Sequence, residues 1–363
     1  DDDMIMTGNR HDFVIDYDVG FDESGLILGI DFMFASRCGI SADLSGPVND
    51  RTMFHCDNAY FLENVHIDSH RCKTNTVSNT AFRGFGGPQG MFAIEYVIDD
   101  IARSLGKDPL EVRRLNFYGI EDRNTTHYRQ TIEDNIVETI VDRLEDNADY
   151  AARRSQIREF NASSPVFKRG IALTPVKFGI SFTATHLNQA AALVHVYKDG
   201  TVHLNHGGTE MGQGLFIKVA QVVADEFGIT IDRIRNNASD TSKVPNASAT
   251  AASSGSDMNG KAAQKAAAKI RQRLTEFAAR HFSTPESAID FRNNVVTVGN
   301  HELPFEELVQ LAWFDRVQMS ATGYYRTPKI HYDRETFSGR PFFYYAYGAA
   351  VSEVVVDTLT GEY

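Results

Sequence analysis

Asn79-Thr80-Ala81-Phe82-Arg83-Gly84-Phe85-Gly86-Gly87-Pro88-Gln89-Gly90 carries four glycines between Gly84 and Gly90, directly ahead of a helical pattern. Glycine takes positive φ at little steric cost and lets a main chain approach a ligand closely. Beyond the loop, Ile94, Val97, Ile98, Ile101 and Leu105 share one face, with Pro88 at a permitted first-turn position and Gly106 at the stop, so a helix is predicted over 88–106. The start of such a helix offers N–H groups suited to an anion. Phe82 and Phe85 flank Arg83, and a turn seldom needs aromatics of that size, whereas a ring face can stack on a flat heterocycle. The spacing fits neither a dinucleotide fingerprint nor a Walker loop. Read alone, the segment is equally well a structural strand-to-helix turn.

Two further loops share this design. His206-Gly207-Gly208-Thr209-Glu210-Met211-Gly212-Gln213-Gly214 opens onto an amphipathic helix over 215–227, and the Gln213 amide offers both donor and acceptor to a heterocycle. His206 at a strand end reads as a structural group rather than as a ligand or base. Val244 to Ser256 is a run of small and hydroxyl residues ahead of a long alanine-rich helix over 257–282, suited to capping that helix or to forming an anion nest, and by itself equally a linker.

Around the loops, strands and helices interleave. Alternating apolar residues from Asp12 to Ser36, broken by Asp22-Glu23-Ser24-Gly25, predict a hairpin. Helical periodicity runs through 132–161. Strand patterns return at 171–178, 190–197 and 202–205, with Lys198-Asp199-Gly200-Thr201 as a hairpin turn, and again at 342–356. The fold class is α+β (mixed α/β). The 363 residues exceed a single core, so two lobes are expected, 1–165 and 166–363.

Composition excludes several function classes. With 42% hydrophobic and 23% charged residues the chain is an ordinary globular one, neither disordered nor fibrous. The formal charge of -12 opposes a phosphate backbone, and the pairs Arg113-Arg114 and Arg153-Arg154 read as solvated helix faces, so no nucleic-acid partner is expected. Cys38, Cys56 and Cys72 show no CxxC spacing, which argues against a disulfide framework or a cysteine-held metal and favours a reducing cytoplasm. Neither a membrane span nor a signal peptide is indicated. The opening Asp1-Asp2-Asp3 and the closing strand and turn read as cut ends.

Together, Thr80 to Gln89 and His206 to Gly214 resemble the molybdenum hydroxylases, the aldehyde oxidase and xanthine dehydrogenase family. The likeness extends over nearly the whole chain through Lys177 to Thr183, Leu187 to Ala190, Gly323 to Pro328 and Ser352 to Gly361, and it is greatest for the purine-oxidising branch. It implies a two-lobed molybdopterin-binding domain, here an internal piece. The reaction it implies is oxidation of hypoxanthine or xanthine to urate, in which a hydroxyl on molybdenum attacks an electron-poor carbon and hydride passes to a sulfido ligand. Electrons would leave through [2Fe-2S] clusters to FAD on other domains or subunits of an oligomeric enzyme, with NAD as acceptor. The alternatives are an oxidase of aldehydes or other N-heterocycles, or an inactive apo fragment.

The resemblance also implies roles for residues. Phe85 and Phe182 match the pair that clamps the purine ring, and Thr183 a substrate-contacting threonine. Arg51 matches an arginine that pairs with a purine carbonyl and stabilises developing charge; without the resemblance it reads as a surface charge. Phe82, Arg83 and Gly84 match cofactor-facing residues, as do Gly212, Gln213, Thr250, Ala251, Ala252 and Ser253. The main chain at Arg83 and Ala252 would lie nearest the molybdenum, which receives no side-chain ligand. Pro47 stands where a serine is common. The family's general-base glutamate and its second substrate-binding glutamate fall outside this sequence, so the piece alone is not expected to turn over.

Overall fold

The computed structural model describes residues 2–237, 239–243 and 247–363; Val244, Pro245 and Asn246 of the third loop, and Asp1, lie outside the described residues. The chain divides into two compact units, one of residues 1–183 and 331–363, the other of residues 184–330. These bounds differ from the lobes expected at 1–165 and 166–363, because a strand before Thr183 pairs with the last strand of the chain.

In the first unit, α1 (Asp2–Met6) precedes the hairpin of β1 (Phe13–Phe21) and β2 (Ile27–Gly39). Its turn is built by Asp22, whose Oδ1 accepts from the N–H groups of Ser24, Gly25 and Leu26 at 2.8, 3.1 and 3.0 Å. After α2 (Ser45–His55), β3 (Val65–Lys73) joins β2 in parallel, an arrangement that needs such a crossover. α3 (Gly87–Leu105) buries Ile94, Val97, Ile98 and Ile101 and stops at Gly106, φ +65°. It packs with α4 (Pro109–Asn116).

Arg113 on α4 corrects the expectation of a solvated face. It is buried, with Nε 2.8 Å from Glu95 and Nη2 2.9 Å from Asp99, both on α3. A guanidinium enters a core when carboxylates meet its planar donors there.

The helical stretch predicted over 132–161 is two helices, α5 (Val137–Asn147) and α6 (Tyr150–Ser163), separated at Asp149 with φ +49°. β4 (Phe167–Ile180) closes this part of the chain.

The second unit starts with β5 (Gln189–Val196) and β6 (Val202–His206), joined by the expected turn at Gly200, φ +80°. α7 (Leu215–Phe227) leads to β7 (Ile234–Asn236), parallel to β6, and then to α8 (Gly255–His281). The meander β8 (Ile289–Arg292), β9 (Val295–Val298), β10 (His301–Pro304), the helix α9 (Phe305–Phe314) and β11 (Ser320–Arg326) complete it, with sheet order β11-β5-β6-β7. Alanines let α8 lie close on the sheet: a Cβ at Gly323 would sit 2.0 Å from the Ala262 carbonyl oxygen. Lys269 and Arg273 of α8 donate to the carbonyls of Thr322, Ser320 and Gln318, which blunts the outer edge of β11.

The chain then returns to the first unit with β12 (His331–Asp333), β13 (Ser338–Arg340) and β14 (Tyr344–Asp357). β14 pairs antiparallel with β4 along its whole length, from Tyr344 opposite Ile180 to Asp357 opposite Phe167. The α+β class holds in both units.

Candidate active site and cofactor cradle

Arg51 lies on α2 and is fully buried, contrary to its reading as a surface charge. Its Nη1 donates to the Ser181 carbonyl at 2.8 Å and its Nη2 to the Gly179 carbonyl, while Nε has no partner. The guanidinium carbon stands 4.6 Å from the ring centre of Phe178 and 4.9 Å from that of Phe342. No carboxylate neutralises it among the described residues. Burial pulls its pKa down to about 9, the cost of a desolvated cation satisfied only by carbonyl dipoles and ring faces.

The end of β4 supplies those carbonyls, and the next residues are Phe182 and Thr183. Ser181 is held at φ +153°, a backbone region that L side chains rarely adopt. Thr183 is buried and Phe182 half-buried.

The loop 79–90 meets the same region from another side. A Cβ at Gly86 would lie 2.1 Å from the Val48 carbonyl, one at Gly90 2.3 Å from the Thr52 carbonyl, and one at Gly87 2.7 Å from the Phe178 ring. Only glycine lets α3 start this close to α2 and to the ring that carries Arg51. Phe85 is left-handed at φ +55° and half-buried, and its N–H donates to Phe82 O at 2.7 Å.

Phe82 and Arg83 are exposed. Arg10, which sequence reasoning missed, donates from Nη2 to the Arg83 carbonyl at 2.8 Å and lies over the Phe82 ring at 4.4 Å. Gly84, at φ +95°, has no room for a side chain against Pro88. At the start of α3, Gly87 gives its N–H to Gly84 O at 3.0 Å and Pro88 has none.

Beneath Arg51 lies a buried polar network that no sequence signal marked. Lys177 Nζ donates to Asp57 Oδ2 at 3.2 Å, and Tyr118 Oη donates to the same oxygen at 2.7 Å. Burial lowers the Lys177 pKa while Asp57 opposes that shift. His127 places Nδ1 3.8 Å from Asp57 and donates from Nε2 to Met53 O at 2.8 Å.

In the second unit, Glu210 organises the loop 206–214. Its carboxylate accepts from the N–H groups of Gly212, Gly214 and Phe216 at 2.9, 3.0 and 3.1 Å, the Phe216 bond chiefly holding its pKa below the usual range. Gln213 turns its amide onto its own loop, accepting from Met211 N at 2.5 Å and donating to Thr209 O at 2.7 Å. The Thr209 N–H donates to Thr250 Oγ1 at 2.8 Å, which ties this loop to the third.

There, Ala252 and Ser253 are successively left-handed, each at φ +57°, and Ala251 accepts from the Ser254 hydroxyl; the expected side-chain cap on α8 does not form. His206 is buried, with Nδ1 accepting from Gly208 N at 3.1 Å and Nε2 unpartnered, and burial lowers its pKa to about 4.

Residues 1–117 match the family described as the molybdopterin cofactor-binding domain, and residues 143–363 match a second family of the same description. The chain belongs to the molybdopterin cofactor-binding family. It is 44% identical along its whole length to xanthine dehydrogenase of Drosophila subobscura, covering 26% of that protein. It is 43% identical to xanthine dehydrogenase of Oryza sativa subsp. japonica and to xanthine dehydrogenase/oxidase of Gallus gallus, covering 25% of each. The chain thus spans about a quarter of the length of the curated relatives it matches.

Among solved structures, quinoline 2-oxidoreductase of Pseudomonas putida matches with TM-score 0.82 at 22% identity, over 98% of this chain and 47% of that one. Aldehyde oxidoreductase of Desulfovibrio desulfuricans matches with TM-score 0.77 at 25% identity, over 98% and 36%.

The residues present fit molybdopterin. A Cβ at Gly212 would meet nothing within 4 Å, so the main chain there borders open space. The tethered third loop adds hydroxyls and two adjacent left-handed residues. Such backbone-rich cradles suit a ligand that carries its own anionic and hydrogen-bonding groups.

Proposed function

We propose that this chain forms part of the pocket of a molybdopterin-dependent hydroxylase that oxidises purines, hypoxanthine and xanthine to urate. The observation that carries the reading is the buried Arg51 cation, held by carbonyls and rings with no carboxylate beside it among the described residues. Such a group favours a ligand with a carbonyl that gains negative charge during reaction. The relatives named xanthine dehydrogenase, similar across the full chain, support the same reading.

Molybdopterin, when bound, supplies the molybdenum centre at which a ring carbon is hydroxylated. The chain's residues bind and orient. Phe85 and Phe182 hold the flat ring, Thr183 offers a hydroxyl at its edge, and Arg51 faces a ring carbonyl. Phe82, Arg83 and Gly84 of the first unit and, by themselves, Gly212, Gln213, Thr250, Ala251, Ala252 and Ser253 of the second would contribute to holding the cofactor, with the main chain of Arg83 and of Ala252, and no side chain, serving the metal. Gln213 would exchange its intraloop bonds for the pterin. Electron transfer to [2Fe-2S] clusters, FAD and NAD elsewhere in a cytoplasmic oligomer completes the proposal. No helix among the described residues is long and apolar enough to cross a membrane.

The test is Arg51→Met in the complete, molybdenum-loaded protein. We expect kcat/KM for xanthine to fall by about a hundredfold or more, the size of a lost charge-stabilising donor, with benzaldehyde turnover far less affected. Equal losses on both substrates would overturn the role of Arg51.

A further inference from the structure

His55 lies one helical turn after Arg51 on α2, and both side chains reach the main chain of one residue of β4, Gly179. The Gly179 N–H donates to His55 Nε2 at 3.0 Å, while the Gly179 carbonyl accepts from Arg51 Nη2. Because Nε2 accepts, the ring proton sits on Nδ1, which donates to the Arg51 main-chain carbonyl at 3.1 Å. The rings that sandwich the guanidinium also hold the imidazole: His55 lies 4.8 Å from Phe178 and 5.2 Å from Phe342. His55 is fully buried, and neither nitrogen is left for solvent or for another ligand. Burial, with Arg51 and Lys177 nearby, keeps it neutral, so it adds no charge to repel Arg51. Gly179 is thus gripped at both polar atoms, and the Phe342 ring leaves no space there for a side chain.

We propose that His55 is a specificity-determining positioning residue, which fixes the end of β4 against α2 so that the Arg51 guanidinium stands at one set place toward the carbonyl of an oxo-substituted heterocycle. The inference rests on the purine reading of Arg51. It adds that the position of the charge, and not its presence alone, sets the preference for purine over aldehyde. An error of about 1 Å in a reacting group can cost about a hundredfold in rate.

The experiment compares wild type, Arg51→Met, His55→Gln, His55→Asn and His55→Phe in the complete, molybdenum-loaded protein, with rates normalised to molybdenum content. Gln places an acceptor where Nε2 stands, whereas Asn and Phe remove it. We expect Asn and Phe to lower kcat/KM for xanthine about tenfold or more relative to benzaldehyde, and Gln to keep the ratio within about threefold of wild type. The dissociation constant of urate, measured by calorimetry, should weaken in the same order.

If Arg51→Met leaves the ratio unchanged, the purine reading fails. If Arg51→Met shifts it but whichever of Asn and Phe folds lowers both substrates equally, the role of His55 is overturned. A Gln variant whose ratio falls as far as that of Arg51→Met overturns it as well.

Discussion

The ring of Phe342 fills the space that a side chain at Gly179 would need: a Cβ there would come within 2.3 Å of the ring. These residues are far apart in sequence, and their contact lets the guanidinium of Arg51 lie between the rings of Phe178 and Phe342. Gly179→Ala should therefore destabilise the first unit by about 1–3 kcal/mol through overpacking, and purine turnover should fall with it. Thermal denaturation of the variant checks this, and an unchanged Tm would contradict the close approach.

Lys177 and Asp57 form a buried ion pair, both with almost no exposed side chain. Removing one partner strands the other, so Lys177→Met should cost about 3–5 kcal/mol. The double variant Lys177→Met with Asp57→Asn should recover part of that loss. A double variant as damaged as the sum of two singles would show that the pair is not coupled.

Stability should fall in acid. His55, His127 and His206 are buried with pKa values lowered chiefly by burial, His206 to about 4. The native state holds them neutral while the unfolded chain takes up protons near the ordinary histidine value of 6.5. Their contribution is complete above that pH and is lost as pH falls below it, down to about 4 for His206. Tm measured from pH 8 to 5 should decline below about 6.5, and His55→Gln should flatten that decline. A Tm independent of pH across the range would refute the assignment.

Glu210 holds the start of α7 through three backbone N–H groups. In Glu210→Ala, amide exchange at Gly212, Gly214 and Phe216 should speed up while the interior of α7 keeps its protection. Molybdopterin content of the complete protein should drop as the loop loses its shape. Unaltered exchange at these amides would remove Glu210 from that role.

Local chemistry made much of this chain readable in advance. The hairpin at Asp22 to Gly25, the helix ending at Gly106 and the helix over 215–227 stand as expected, because turn residues, caps and apolar periodicity act within a few residues of one another. The glycine loops likewise announced backbone that must approach something closely, and at Gly86, Gly87 and Gly90 the neighbours are α2 and Phe178. Sequence spacing cannot reveal burial of charge or partners far along the chain. Arg113 and Arg51 both read as surface residues, yet Arg113 meets two carboxylates of α3 and Arg51 meets carbonyls of β4.

Composition and loop chemistry by themselves determined the α+β class, the helix starts behind each glycine loop and the resemblance to molybdenum hydroxylases. Only the tertiary structure decided that β14 returns to β4, that Phe342 closes over Gly179, and that His55 and Arg51 both bond the main chain of Gly179. The reason is physical: turns and helices are set by contacts between near neighbours, whereas a desolvated cation finds its dipoles and rings only where distant segments pack together.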